Sequence, residues 1–141
     1  MKVEHKKSQA GPLLASKPGD KYYYRTEVTN TENVPIRIVW FESYLMLDGK
    51  YWHGINITNE VLREEMFDKW YSDGKTKPKG GWLQPGETVV CDPNWHFACE
   101  NEFQKVKWVF IAVDSKGKSY FVEALVEPDN VKFHKEQKSD F

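Results

Sequence analysis

The chain has 141 residues, 29% of them charged and 40% hydrophobic, and a formal net charge of −1. That is the length of one domain able to bury a core, and its near-neutral balance supplies no basic field for nucleic acid. No apolar run approaches the roughly 18–20 residues that cross a bilayer, so no membrane span is expected.

Residues 1–10 are charged and aperiodic and read as a loose terminus. Without an apolar stretch there, the chain as it stands reads as cytoplasmic, or else as an exported protein whose signal has been removed. Pro12–Ala15 reads as a short first strand. Lys21–Asn30 is a second, with Tyr22, Tyr24, Thr26 and Val28 on one face. Pro35 opens Ile36–Leu47, in which Ile36, Ile38 and Trp40 form an inward row before the register changes near Glu42-Ser43. Asp48-Gly49 is a hairpin signal leading into Tyr51-Trp52.

The period then changes. Leu62, Met66 and Trp70 recur at helical spacing with Phe67 beside them, which predicts one amphipathic helix over 59–71 capped by Thr58 or Asn59. Thr88–Cys91 is a strand after the Pro85-Gly86 turn, and Asp92–Glu102 reads as a loop. Lys105–Val126 predicts a hairpin turned by Asp114–Lys118, its first strand apolar on both faces and therefore central in a sheet. Residues 11–128 are expected to form one domain and 129–141 a loosely docked or disordered tail.

Seven short strands with one inserted helix point to an antiparallel β-sandwich. Two stretches go further. Glu27-Val28-Thr29-Asn30-Thr31 followed by Pro35-Ile36, and Leu83-Gln84-Pro85-Gly86-Glu87-Thr88, resemble strand and turn elements of bacterial immunoglobulin-like domains. The intracellular proteinase-inhibitor type of such domain uses both in this order. The resemblance implies an immunoglobulin-like sandwich over about a third of the chain, and its motifs report fold more than activity.

Three kinds of site are open. Cys91, His96 and Cys99, with His53, are of ligand type for zinc or copper, although seven residues between the cysteines depart from the usual short spacing. The same two cysteines are compatible with a disulfide or with two structural thiols. A cysteine nucleophile oriented by Asp92 or Glu100 lacks an oxyanion-forming turn, and the Glu100/Glu102 pair is of a kind common on surface loops. No catalytic residue and no cofactor are assigned. The third kind is an aromatic surface: Trp52-His53, Trp82 and Trp95-His96 all fall in or beside predicted loops, where Trp anchors protein or sugar ligands. Alternatively these Trp pack beneath the inserted helix. Trp40 and Trp108 are mid-strand and read as core.

The expected function is therefore a non-enzymatic binding module for a protein or carbohydrate. A proteinase inhibitor presenting Ser72–Gly81 and a small metal-binding protein are the alternatives. Oligomeric state is not readable from the sequence.

Overall fold

Strand alternation is strongest in Lys105–Val126, and it governs the structure. The computed structural model describes residues 1–8, 21–47, 49–54, 64–71, 81–97 and 105–126. Among these are β1 (Lys2–Lys6), β2 (Lys21–Thr29), β3 (Ile36–Leu47), β4 (Tyr51–Gly54), α1 (Glu64–Trp70), β5 (Thr88–Phe97), β6 (Val106–Asp114) and β7 (Ser119–Val126). They make two antiparallel sheets, β1-β2-β5 and β4-β3-β6-β7, so the chain is an all-β sandwich with one short helix. β6 is interior to its sheet, as its doubly apolar pattern requires. β7 pairs with it from Val106↔Val126 to Val113↔Ser119. Gly117, at φ 88°, makes the turn between them.

Inward rows from both sheets form the core. Tyr22, Tyr24, Thr26 and Val28 of β2 face Val106, Trp108, Phe110 and Ala112 of β6, all of them buried. The Trp108 indole N–H donates to the Tyr24 hydroxyl at 2.8 Å, tying one sheet to the other. The helix pattern holds with its buried face turned by one residue. Phe67 and Tyr71 are the fully buried pair, while Met66 and Trp70 are partly buried against the core. Phe67 stacks on Tyr71 at 4.4 Å and meets Phe41 edge-on at 5.8 Å, so the helix is held by strand β3 rather than by its own short length. Leu62 and the predicted caps lie outside the described residues, as do Pro12–Ala15 and the 129–141 tail.

Three expectations are corrected. Residues 2–6 are not a loose terminus: Lys2, Glu4 and Lys6 alternate with Val3 and His5, and the segment pairs with β2 from Lys2↔Thr29 to Lys6↔Arg25. Trp40 is not core. A bulge sets Ile38 opposite Ala112 but Trp40 opposite Ile111, and the extra residue, Val39, turns Trp40 to the outer face. Beyond it Phe41, Ser43 and Leu45 continue inward without a break at Glu42-Ser43. Finally, Asp92–Phe97 is strand rather than loop. β5 carries its own one-residue excess between Cys91, opposite Thr26, and Asn94, opposite Tyr24. Pro93, which has no N–H to give a ladder, falls within that bulge, and the Asp92-Pro93 peptide is cis.

The Pro-Gly turn appears as predicted. Glu87 N–H bonds to the Gln84 carbonyl at 2.9 Å. Gly86, at φ 80°, takes the third position of a type II turn. Asn30, fully buried, holds this turn to the one after β2. Its amide donates to the carbonyls of Val34 and Leu83, both at 2.9 Å, and its Oδ1 accepts from Glu32 N–H at 2.8 Å.

Candidate functional site

The two outer sheet faces differ in chemistry. On the three-stranded sheet the outward side chains include paired charges at one end and Tyr23 and Trp95 at the other. Glu27 takes Lys6 at 2.8 Å and Arg25 at 2.7 Å, and Arg25 also lies 3.6 Å from Asp92, which accepts from Ser8. On the four-stranded sheet the outward side chains are mostly aromatic and aliphatic. Cross-strand register arranges them in rows: Trp40–Ile111–Phe121, then Glu42–Val109–Glu123, then Tyr44–Lys107–Leu125. Trp52 of β4 stands beside Met46 at the end of that sequence of rows.

A groove of about 400 Å³ runs over this face, walled by Trp40 and Phe121 on one side and Tyr44 and Trp52 on the other, with Val109 as its floor. Gly54 stands opposite Tyr44 and leaves the rim of β4 without a side chain there. Phe121 is 61% exposed and Leu125 43%, the two large hydrophobic side chains most open to solvent among the described residues. Among the described residues Lys107 is the one cationic side chain lining the groove. Its ammonium lies 4.6 Å from the Trp52 ring centre, 5.7 Å from that of Tyr44 and 3.4 Å from Glu123. Burial, with the Glu42 carboxylate nearby, raises the Tyr44 phenol above its ordinary value.

The residues singled out in the sequence do not converge on one site. Trp52 lines the groove. His53, its neighbour in β4, is exposed and stands opposite Leu45. Trp82 is half-buried in the segment whose next residue, Leu83, is bridged to Ile36. Trp95 lies on the outer face of the other sheet, opposite Tyr23. His96 is 4% exposed and faces inward. The bulge in β5 causes this split, because one extra residue after Cys91 sends Asn94 and His96 to the core and Trp95 to solvent. Trp40, Tyr44 and Phe121 were not singled out as site residues. For Phe121 the alternation of β7 was a sufficient signal; for Trp40 the bulge hides it.

Cys91 and His96 belong to a buried polar network. The His5 Nε2 faces the Ala124 carbonyl at 3.2 Å and so carries the proton. Its Nδ1 therefore accepts from the Thr26 hydroxyl at 2.8 Å, and Thr26 in turn accepts from the Asn94 amide at 2.9 Å. Tyr24, already accepting from Trp108, gives its proton to His96 Nδ1 at 3.0 Å. Burial holds both imidazoles neutral, pulling His5 down to about 4 and His96 to about 3, the latter with a smaller contribution from His5. Burial, then the Asp92 carboxylate, pushes the Cys91 thiol up to about 12. Its Sγ lies 3.8 Å from the Pro93 carbonyl oxygen. A thiol held in this way is the reverse of an activated nucleophile.

Cys99, Glu100 and Glu102 lie outside the described residues, as does the 72–80 segment of the inhibitor alternative. Among the described residues no three His, Cys, Asp or Glu side chains are grouped to hold a metal ion. No helix among them is long and apolar enough to cross a membrane. No protein-family model and no curated protein matches the sequence.

Proposed function

We propose that this chain is a non-enzymatic binding module of the immunoglobulin-like type, whose ligand, a protein or a carbohydrate, docks on the outer face of the β4-β3-β6-β7 sheet. The carrying observation is the groove lined by Trp40, Tyr44, Trp52 and Phe121, on a sheet face where a solvated strand would carry polar groups. Aromatic side chains there offer large contact area with few rotamers to freeze, which is the composition of binding hot spots. In support of the immunoglobulin-like type, the two stretches that carry the resemblance touch: Asn30 at the end of β2 holds the carbonyl of Leu83, which opens the Pro-Gly turn. The site moves from the loops to the sheet face, and Trp52 is the one residue common to both.

A glycan array and a peptide library, probed with the full chain and with the Trp40→Ala/Trp52→Ala variant, test this. Ligands found with the parent are expected to weaken by roughly thirty-fold or more in the variant, as for loss of hot-spot side chains. Ligands that bind both proteins equally, with the variant folded by circular dichroism, would assign recognition elsewhere.

A further inference from the structure

β7 borders the docking face and is an edge strand: among the described residues it pairs with β6 and with no strand on its other side. Backbone alternation says what that side offers. Asp114 N–H donates to the Lys118 carbonyl at 2.8 Å, so Lys118, and with it Tyr120, Val122 and Ala124, turn their backbone groups toward β6. The far side of β6 agrees. Lys105 gives its carbonyl to Met46 of β3, which leaves Val106, Trp108, Phe110 and Ala112 to serve β7. Ser119, Phe121, Glu123 and Leu125 therefore direct N–H and C=O away from the sheet, while their side chains stand exposed on its outer face. The one bond from β1, His5 to the Ala124 carbonyl, falls on the other set.

Folded proteins blunt such edges with lysine, proline or a bulge. β7 has none of these: its residues, SYFVEALV, pair with β6 without a register shift. Its single charge, Glu123, is drawn back over the sheet by Lys107 at 3.4 Å. Phe121 and Leu125 are exposed on the outer side. On the inner side Tyr120, Val122 and Ala124 are only half-buried, whereas the inward rows of β2 and β6 are buried. The core is unfinished along this edge.

We infer that the β7 edge takes an extended peptide segment of a partner protein as a further strand, its alternate side chains packing beside Phe121 and Leu125 outside and Val122 and Ala124 inside. This rests on the docking face proposed above, whose groove shares Phe121, and names the partner. A row of outward N–H and C=O groups is matched by another extended backbone, whose repeat a glycan lacks. The ligand positions opposite Phe121 and Leu125 are apolar, and the one midway, opposite Glu123, is not acidic. A second copy of the chain fits less well. Pairing β7 with itself so that each Phe121 meets a Leu125 sets the two Glu123 carboxylates directly opposite one another, which is destabilising.

The test screens a displayed nonapeptide library against the full chain, then resynthesises a selected peptide with one N-methyl group at each position in turn. Every second N-methyl is expected to weaken binding roughly ten-fold or more, and those between to be neutral, because alternate amides face β7. Amide exchange at Phe121, Glu123 and Leu125 should be fast in the free protein and slow with peptide bound. Leu125→Pro removes an N–H that the ladder does not use, and should bind more weakly than Leu125→Ala at a similar melting temperature. If Leu125→Pro does not fold, the N-methyl series and amide exchange on the parent decide. A peptide insensitive to N-methyl position, or a glycan but no peptide bound, with binding lost in Trp40→Ala/Trp52→Ala, keeps the docking face and overturns strand addition. Alternation retained at full affinity in that variant keeps strand addition and overturns the docking face. Protection of the three amides without peptide, rising with protein concentration, would assign the edge to a second copy and overturn the inference. No ligand from either library or array overturns both.

Discussion

His5 and His96 are held as neutral imidazoles between the sheets, and among the described residues their hydrogen-bond partners are the Thr26 and Tyr24 hydroxyls and the Ala124 carbonyl rather than carboxylates. Protonating either one leaves a buried charge that none of these partners neutralises. Both would titrate near 6.5 in the unfolded chain, against about 4 for His5 and about 3 for His96 when folded. Between those values the unfolded chain binds more protons than the folded one. Stability is therefore complete above about pH 6.5 and drains as pH falls toward 4, by up to about 1.4 kcal/mol per pH unit for each imidazole. Urea midpoints measured from pH 7.5 down to 5 should fall along this curve, and a His96→Leu variant should show about half the slope whatever its absolute stability. A flat profile would mean that the imidazoles are hydrated in solution. The inward setting of His5 was legible in the alternation of Lys2, Glu4 and Lys6 with Val3 and His5. Charge density and position at the terminus concealed it.

Two extra residues redirect whole strands. Val39 in β3 and the Asp92-Pro93 stretch in β5 each shift a register by one, and a shift of one exchanges inner and outer faces for every residue that follows. For this reason Trp40 reaches the groove and His96 the core, although simple alternation from the preceding residues places them the other way. The turn elements needed no such correction, because their chemistry is local: Pro85-Gly86 and Lys116-Gly117 act through backbone preferences that neighbours do not override. What is not local is how the turns are joined. The Asn30 side chain makes two hydrogen bonds within the β2–β3 turn, with Val34 and Glu32, and one across to Leu83 at the Pro-Gly turn, all at 2.8–2.9 Å. An Asn30→Ala variant leaves the Val34 and Leu83 carbonyls without their side-chain donor, and is expected to lose about 2–4 kcal/mol of stability in denaturant unfolding. Asn30→Asp should not restore it, since a carboxylate cannot donate to either carbonyl. Recovery by Asp would show that only the bond to Glu32 matters.

Across the molecule, the sandwich is asymmetric: one outer face is laced with ion pairs, the other carries the aromatic groove, and a short helix fills the interior beside β3. Phe67 is the helix's main attachment, touching Phe41, Tyr71 and Phe110. Its replacement by Ala is expected to cost about 3–5 kcal/mol, and the helical signal should be lost at lower denaturant than the sheet signal. Loss of both signals together at the parent midpoint would mean that the helix adds nothing to the core. By itself the sequence determined the all-β class, the central β6–β7 hairpin, the Pro-Gly turn and the presence of the helix, because each is set by a periodicity or a turn preference carried in adjacent residues. It also supplied Trp52. Only the tertiary structure decided which Trp share a surface, that His5 and His96 lie inside, and that Lys107 rests on aromatic rings. Those facts depend on bulges and on which strands become neighbours, and pairing of strands distant in sequence is set by burial across the whole fold rather than by any residue's own preference.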